Sequence, residues 1–430
     1  MIDQDGSTMA TGTPVGSSAT ILPKTPIVPK RKPGRKPKSH SKELLTVLSS
    51  VSSAVRDFLS QKDLHLLPSQ SLSLESLLSS LPFPPSPSPS PAPSSDQSFF
   101  SRFHSSVPDF DPRWVDNFRM TKHTFNRLLC ILCPSLLTSL PPSIPPESAV
   151  AAALFRLAHA APYEAVARIF GLDSYQAACL AFYSVCKVVN EKLADFVDFG
   201  GDMERIRSGF EWLSLPNCCG VLGFGKFGVE SELVGKNGSL LVQALVDCEG
   251  RFLDISGGWP CTMRPESILT NTKLYNRIEK TKELLNGKYY NLNNGISIPQ
   301  YIMGGSCLPM LPWLITPYIG GDNLNSAEKE FNICHRKAMQ LAESAFIRLK
   351  AQWRLLAMRW KGDTGSFLPF VIVMGCLLHN YLIKSDEQPP GEHVEWNTQE
   401  EELPVYTGEA DERGAMIRHV IAQILMNNKQ

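Results

Sequence analysis

The sequence predicts a mixed α/β protein, and three observations carry that expectation. Downstream of Phe210, three apolar strand-like stretches are followed by a helical pattern, a fourth strand and two more helices. Between Phe99 and Phe210 the apolar residues recur instead at three- and four-residue steps. Upstream of Phe99, a Pro/Ser tract that begins at Pro82 separates this body from a polar, basic N-terminus.

At 430 residues and 43% hydrophobic content the chain can build a sizeable core. Its length suits two or three domains at roughly 150 residues each. The formal net charge is zero, but the charges are segregated. Between Lys24 and Lys42 there are eight Lys or Arg and no acid, whereas Asp386 to Glu412 holds ten Asp or Glu and no Lys or Arg. Such asymmetry marks interaction tails. The eleven cysteines are odd in number and scattered. No charged n-region precedes an apolar h-region, and no apolar run is long enough for a span. The expectation is an intracellular protein with reduced, buried thiols and no membrane segment. Cys130 and Cys133 are a lone C-x-x-C on an expected helix, read as structural rather than metal-binding because no second pair stands at zinc spacing.

Residues 1–41 hold few large apolar side chains and are expected to be a disordered basic arm. Gly34-Arg35-Lys36-Pro37, within Lys30 to Lys38, resembles the core of an AT-hook, although Pro33 precedes Gly34 where that core has Arg. An extended arginine backbone of that kind enters the narrow minor groove of A·T-rich DNA. Arg31, Lys32, Arg35, Lys36 and Lys38 are therefore candidate DNA contacts; the alternatives are a nuclear-import signal and a solvated tail. Residues 42–81 form a short helical segment: Leu44, Leu45, Leu48, Val51, Val55 and Leu59 keep a helical period over 42–62, with Leu/Ser sequence to Leu81. Residues 82–98 are the linker, expected to be extended.

Residues 99–210 are expected to be a helical domain resembling a helix-turn-helix unit. Phe118, Phe125, Leu128, Leu129 and Leu132 share one face, and a Pro-rich break precedes a helix over Glu147–Ala160. Tyr163–Phe170, the turn Gly171-Leu172-Asp173-Ser174, and Tyr175–Glu191 have the helix-turn-helix outline. The opening of the last helix would then read base edges, and there Gln176 is the suitable side chain. Little Lys or Arg accompanies it before Lys187, and the alternative is a packing subdomain that reads no DNA.

In residues 211–385, strands are expected over Asn217–Glu230 and in the two stretches joined by the turn Cys248-Glu249-Gly250, the last ending at Gly258-Trp259-Pro260. A helix over Arg264–Lys280, a strand over Ile298–Met303, a long helix from about Ser326 to Trp360 and an apolar helix over Phe367–Ile383 follow. Residues 386–430 are an acidic segment and a C-terminal helix, the former read as a contact for a basic partner or as a solvated loop. Three strands, helix, strand, helix is the order of an RNase H-like core. The fourth strand ends at Gly304-Gly305 under a Pro-interrupted apolar loop, the kind of place where a mixed sheet presents chemistry.

Several short stretches occur in order: Gly220-Val221-Leu222, Gly258-Trp259-Pro260, the run Leu308 to Leu314, Phe331-Asn332, Glu343 to Phe346, Leu349-Lys350, Trp353-Arg354 and Cys376 to Asn380. Together they resemble the Harbinger (PIF-type) transposases and the host proteins derived from them, over roughly Phe118 to Leu425. The resemblance implies a DDE core in which an Asp on the first strand, an Asp at the end of the fourth and a Glu on the following helix hold two Mg²⁺ or Mn²⁺ ions for strand cleavage. Carried across, the three positions are Gly223, Gly305 and Glu343, and a further family acid falls at Pro265. Glycine has no side-chain oxygen. Asp247, Asp254, Glu230 and Glu232 are the acids that could substitute, with Asp247 and Asp254 read as turn and strand-face residues; His379 is read as a core histidine.

The expectation is thus a retired DDE nuclease without its ancestral metal, located in the nucleus and acting in chromatin or transcription regulation through protein partners. By resemblance these partners are a Myb/trihelix-like DNA-binding protein and subunits of chromatin-modifying complexes, with A·T-rich DNA possible through the arm. The alternatives are a metal-dependent endonuclease with a replaced ligand set and a direct DNA-binding regulator.

Overall fold

The computed structural model describes residues 99–230, 234–292, 295–361, 367–387 and 403–428. The basic arm, the helical period over 42–62, the Pro/Ser linker, Glu232 and most of the acidic segment lie outside the described residues.

The N-terminal part is helical: α1 (Phe99–Ser106), α2 (Arg113–Phe118), α3 (Lys122–Ser139), α4 (Pro146–His159), α5 (Tyr163–Phe170), α6 (Tyr175–Lys192) and α7 (Met203–Gly209). Local chemistry sets the boundaries. The Thr121 and Ser174 hydroxyls accept N–H groups at the starts of α3 and α6, and Gly171 closes α5 in the left-handed conformation. Phe100, Phe103, Trp114, Phe118 and Phe125 pack ring against ring at 4.9–6.0 Å and fill the space between α1, α2 and α3.

The second part is a mixed sheet. Strands β1 (Cys218–Glu230), β2 (Ser239–Val246) and β3 (Phe252–Pro260) form an antiparallel meander. After α8 (Pro265–Asn271) and a short helical run to Lys280, a separate hairpin of β4 (Tyr290–Asn291) and β5 (Ser297–Ile298) precedes β6 (Tyr301–Gly304) and β7 (Leu314–Ile315). The sheet order is β3-β2-β1-β6-β7, with β6 parallel to β1 and β7 parallel to β6. A three-strand meander joined through its first strand to two parallel strands is the RNase H-like arrangement. A short β8 (Trp360–Lys361) also pairs with the end of β1.

Helix α9 (Ser326–Gln352) starts in a capping box of Asn325 and Glu328 and lies along β1. It stops earlier than the residue pattern suggests. Trp353 leaves helical geometry and is fully buried, a one-turn helix Arg354–Ala357 follows, and Trp360 belongs to a strand. The expected helix over Arg264–Lys280 is likewise broken at Thr272, whose hydroxyl caps the next turn.

Helix α10 (Leu368–Lys384) is buried from Leu368 to Leu382, as an all-apolar helix must be. Its few polar groups tie the two parts together. Asn380 accepts the Phe252 N–H at 2.9 Å and donates to the carbonyls of Phe252 and Phe196, while the Tyr381 hydroxyl donates to Thr124 O at 2.9 Å. Finally α11 (Glu412–Asn427), capped by Asp411, packs on α9 and β7. Among the described residues no helix is long and apolar enough to cross a membrane.

Candidate functional site

The sheet sets Gly223 and Gly305, two of the three positions carried over from the DDE resemblance, side by side. Leu222 pairs with Gly304 across β1 and β6, so Gly223 and Gly305 follow side by side at the next step. Gly223 also pairs with Ala244 of β2, and α9 runs over this face with Ala342 in front of Gly223. Glu343 is the next residue of α9.

The spaces before the two glycines differ. A Cβ placed on Gly223 would stand 2.8 Å from the Cβ of Ala342, and one on Gly225 would stand 2.5 Å from the Phe346 ring. Helix and strand meet here at a distance that only glycine permits. At Gly305 a Cβ would meet Cys307 Sγ at 3.7 Å and Met339 Cε at 3.8 Å, which is ordinary contact. The end of β6 is held from behind by His335, buried on α9, whose Nε2–H donates to Gly304 O at 2.8 Å. Burial lowers the His335 pKa to about 4, against the opposing pull of that hydrogen bond, with Arg418 and Arg336 adding to the depression.

Glu343 is solvent-exposed and makes no hydrogen bond or ion pair among the described residues. Partial desolvation alone raises its pKa. The other acids do not gather round it. Asp254 sits beside Ile255, and Ile255 is the residue in register with Ala244 and Gly223; Asp254 therefore points to the opposite face of the sheet. Asp247 is buried in the β2–β3 turn, where it accepts from the N–H groups of Glu249 and Arg251 and from Arg251 Nε at 2.7 Å. Glu230 lies at the far end of β1, about 23 Å along the strand from Gly223 at ~3.3 Å per residue. His379 donates from Nε2 to Gly250 O at 3.0 Å in the core, and burial lowers its pKa to about 4.

One acid that sequence reasoning passed over belongs to the neighbourhood. Pro265 opens α8 as its first residue, and Glu266 beside it pairs with Arg264 at 3.7 Å. Its charge adds to burial in pushing the Cys307 thiol up to about 11. Cys307 stands two residues past Gly305, so the charge of Glu266 is felt at the edge of the site. The signal for it was its position one residue after the matched Pro265.

A hard divalent ion needs several oxygens in near-octahedral array, and the paired ions of strand cleavage need bridging carboxylates. Gly223 and Gly305 supply none, and Ala342, Met339 and Cys307 present methyl groups and sulfur. Among the described residues no three His, Cys, Asp or Glu side chains cluster as a metal site. The residues present do not fit Mg²⁺ or Mn²⁺.

Gln176 is half-buried in the first turn of α6, next to the exposed Tyr175. Beyond that turn α6 is packed by α3, α4, α5 and α10. The exposed parts of α6 are thus its opening at Tyr175 and its last residues, Glu191 and Lys192. All eleven cysteines are free thiols; Cys130 is exposed and Cys133 half-buried on α3.

A sheet of RNase H order with a DDE-equivalent corner defines a transposase-type nuclease fold, and residues 234–380 match the family model described as DDE superfamily endonuclease. The chain belongs to the family of Harbinger-type, transposase-derived proteins. Within it, the chain is similar to the Arabidopsis thaliana protein antagonist of like heterochromatin protein 1, with 32% identity over 301 residues, 65% of this chain and 75% of that protein. It is also similar to an Arabidopsis thaliana protein named ALP1-like, with 29% identity over 344 residues, 73% of this chain and 82% of the relative. No solved structure matches the chain.

Proposed function

We infer that this protein is a nuclear regulator that keeps the DDE fold, has given up metal-dependent strand cleavage, and works as a scaffold in chromatin or transcription control through protein partners. The observation that carries this reading is the pair of glycines at the centre of the sheet, one of them closed over by Ala342. Glu343, with Glu266 felt only at the edge of the site, does not supply the bridging carboxylates that two divalent ions need. With cleavage gone, what remains useful is the large folded surface. The name of the relative, antagonist of like heterochromatin protein 1, supports a place in chromatin regulation. The partners that fit by family analogy are a Myb/trihelix-like DNA-binding protein and subunits of chromatin-modifying complexes.

The test has two arms. Purified full-length protein incubated with supercoiled plasmid and Mg²⁺ or Mn²⁺ is expected to leave the plasmid intact; nicking that disappears in Glu343→Ala would overturn the loss of cleavage. Affinity purification from nuclei with mass spectrometry is expected to recover chromatin modifiers or a Myb-like protein, and recovery of neither would overturn the scaffold role.

A further inference from the structure

The excursion between α8 and β6 carries a surface that the DDE corner does not use. From Lys273 to Lys288 there are five cations, Lys273, Arg277, Lys280, Lys282 and Lys288, against two carboxylates. Both carboxylates are engaged. Glu279 accepts from Trp313 Nε1 at 2.5 Å and pairs with Lys282 at 3.1 Å, while Glu283 pairs with Arg277 at 3.2 Å. The segment keeps a positive excess, with Lys280 and Lys288 exposed to solvent.

Immediately after it stand two exposed rings. Tyr289 is 62% and Tyr290 46% exposed. Neither packs against another aromatic ring among the described residues. Their hairpin is nonetheless held firmly. Tyr290 is in register with Ile298 and Asn291 with Ser297, and the Ser297 hydroxyl donates to Asn291 Oδ1 at 2.6 Å. At the feet, the buried Asn217 amide donates to Lys288 O at 3.1 Å and to Ile298 O at 2.9 Å, while its oxygen accepts from Arg207 Nη1. The buried Gln300 accepts the Gly287 N–H at 2.9 Å. Tyr290 opens β4 and Tyr289 immediately precedes it, so both exposed rings stand at the pinned foot of this ribbon.

We propose that the β4–β5 hairpin is a docking surface for single-stranded nucleic acid, with unpaired bases stacked on Tyr289 and Tyr290 and phosphates met by Lys280 and Lys288. An aromatic face accepts any base, but only one that is out of a duplex. The lysines supply point charges for the backbone. A duplex would use the lysines and leave the rings idle, and an acidic peptide would do the same. The combination of exposed rings on a pinned backbone with excess positive charge selects the single strand.

The test uses the full-length chain with Arg31, Lys32, Arg35, Lys36 and Lys38 all replaced by Ala, so that the basic arm does not contribute. Fluorescence anisotropy is read with a labelled oligothymidylate, a labelled duplex and a labelled polyglutamate peptide at low and physiological salt. The parent is expected to prefer the oligothymidylate. Adding Tyr289→Ala and Tyr290→Ala is expected to weaken that binding about tenfold or more, with duplex binding unmoved. Adding Lys280→Glu and Lys288→Glu instead is expected to weaken both nucleic acids and flatten the salt dependence. The rings are exposed, so the tyrosine variant should melt at the parental temperature. The proposal falls if the tyrosine variant binds oligothymidylate as tightly as the parent, or if the parent prefers the duplex or the peptide.

Discussion

Gly223 on β1 and Gly305 just past the end of the parallel β6 occupy neighbouring positions, yet the ground in front of each is different. At Gly305 there is room for a side chain, since a Cβ there meets nothing nearer than 3.7 Å. At Gly223 there is none, because Ala342 lies 2.8 Å from where a Cβ would be. An open position accepts a side chain by one substitution, whereas a filled one requires the helix to retreat. The contrast shows that glycine at 223 now serves the packing of α9 on β1, while glycine at 305 is open to change.

The sharpest way to break this comparison is to put side chains back. Gly223→Ala forces an extra carbon into a close-packed seam, and such insertions typically cost about 1–3 kcal/mol. Gly223→Asp adds a buried, unpaired charge and is expected to cost ~3 kcal/mol or more. Gly305→Asp is expected to stay within about 1 kcal/mol of the parent, the range of substitutions away from packed features. Urea denaturation measures all three. A double-mutant cycle sharpens the result: with Ala342→Gly, the cost of Gly223→Ala should shrink through a coupling of roughly 1 kcal/mol. Equal destabilisation at 223 and 305, or strict additivity with Ala342, would refute the idea of a filled corner.

Much of this was legible in the residues before any coordinates. Gly-Val-Leu on β1, Gly-Trp-Pro at the end of β3 and Cys376 to Asn380 on α10 located the core, because alternation and full apolarity report burial directly. The identities at 223 and 305 were equally plain, since a glycine cannot be mistaken for a carboxylate. The approach of Ala342 was hidden. Helix-to-strand distance depends on the sum of side chains along the seam, including Gly225 under Phe346, and no local pattern encodes it. The early end of α9 was hidden for a related reason. Trp353 is as compatible with a helix as its neighbours, and only the deep pocket that buries it pulls the chain out of register. Glu266 was missed because position-by-position matching stops at Pro265, whereas its electrostatic effect on Cys307 is a tertiary relation that no local pattern encodes.

Two buried histidines, one at the open corner and one at the β2–β3 turn, should make the fold sensitive to acid. His335 braces the open corner through Gly304 O, and His379 braces the β2–β3 turn through Gly250 O. Each is held neutral by burial with a folded-state pKa of about 4, below the ordinary value of 6.5. A depressed folded-state pKa means that the unfolded chain binds the proton first. Stability is therefore complete above pH 6.5 and is lost as pH falls from there towards 4, at roughly 1.4 kcal/mol per unit for each histidine. A melting series in that window should flatten partly in His335→Gln and in His379→Gln. An unchanged slope in both variants would mean that other groups carry the acid sensitivity.

The smallest effect is expected at Glu343, and its smallness is informative. Its carboxyl is raised by desolvation with no partner to favour the charged form, so ionisation on the folded chain is slightly unfavourable relative to the unfolded one. The sign is opposite to that of a carboxylate in an ion pair: stability contributed by the protonated form is present at low pH and is lost as pH rises through the elevated pKa. Glu343→Gln should thus be neutral or slightly stabilising at pH 7, by no more than about 0.5 kcal/mol at an exposed position. Added Mn²⁺ should not raise the melting temperature of the parent more than that of the variant, because a bound ion stabilises only the state that holds it. A Mn²⁺-dependent gap between the two would place a functioning oxygen donor at this corner and overturn the proposed loss of strand cleavage.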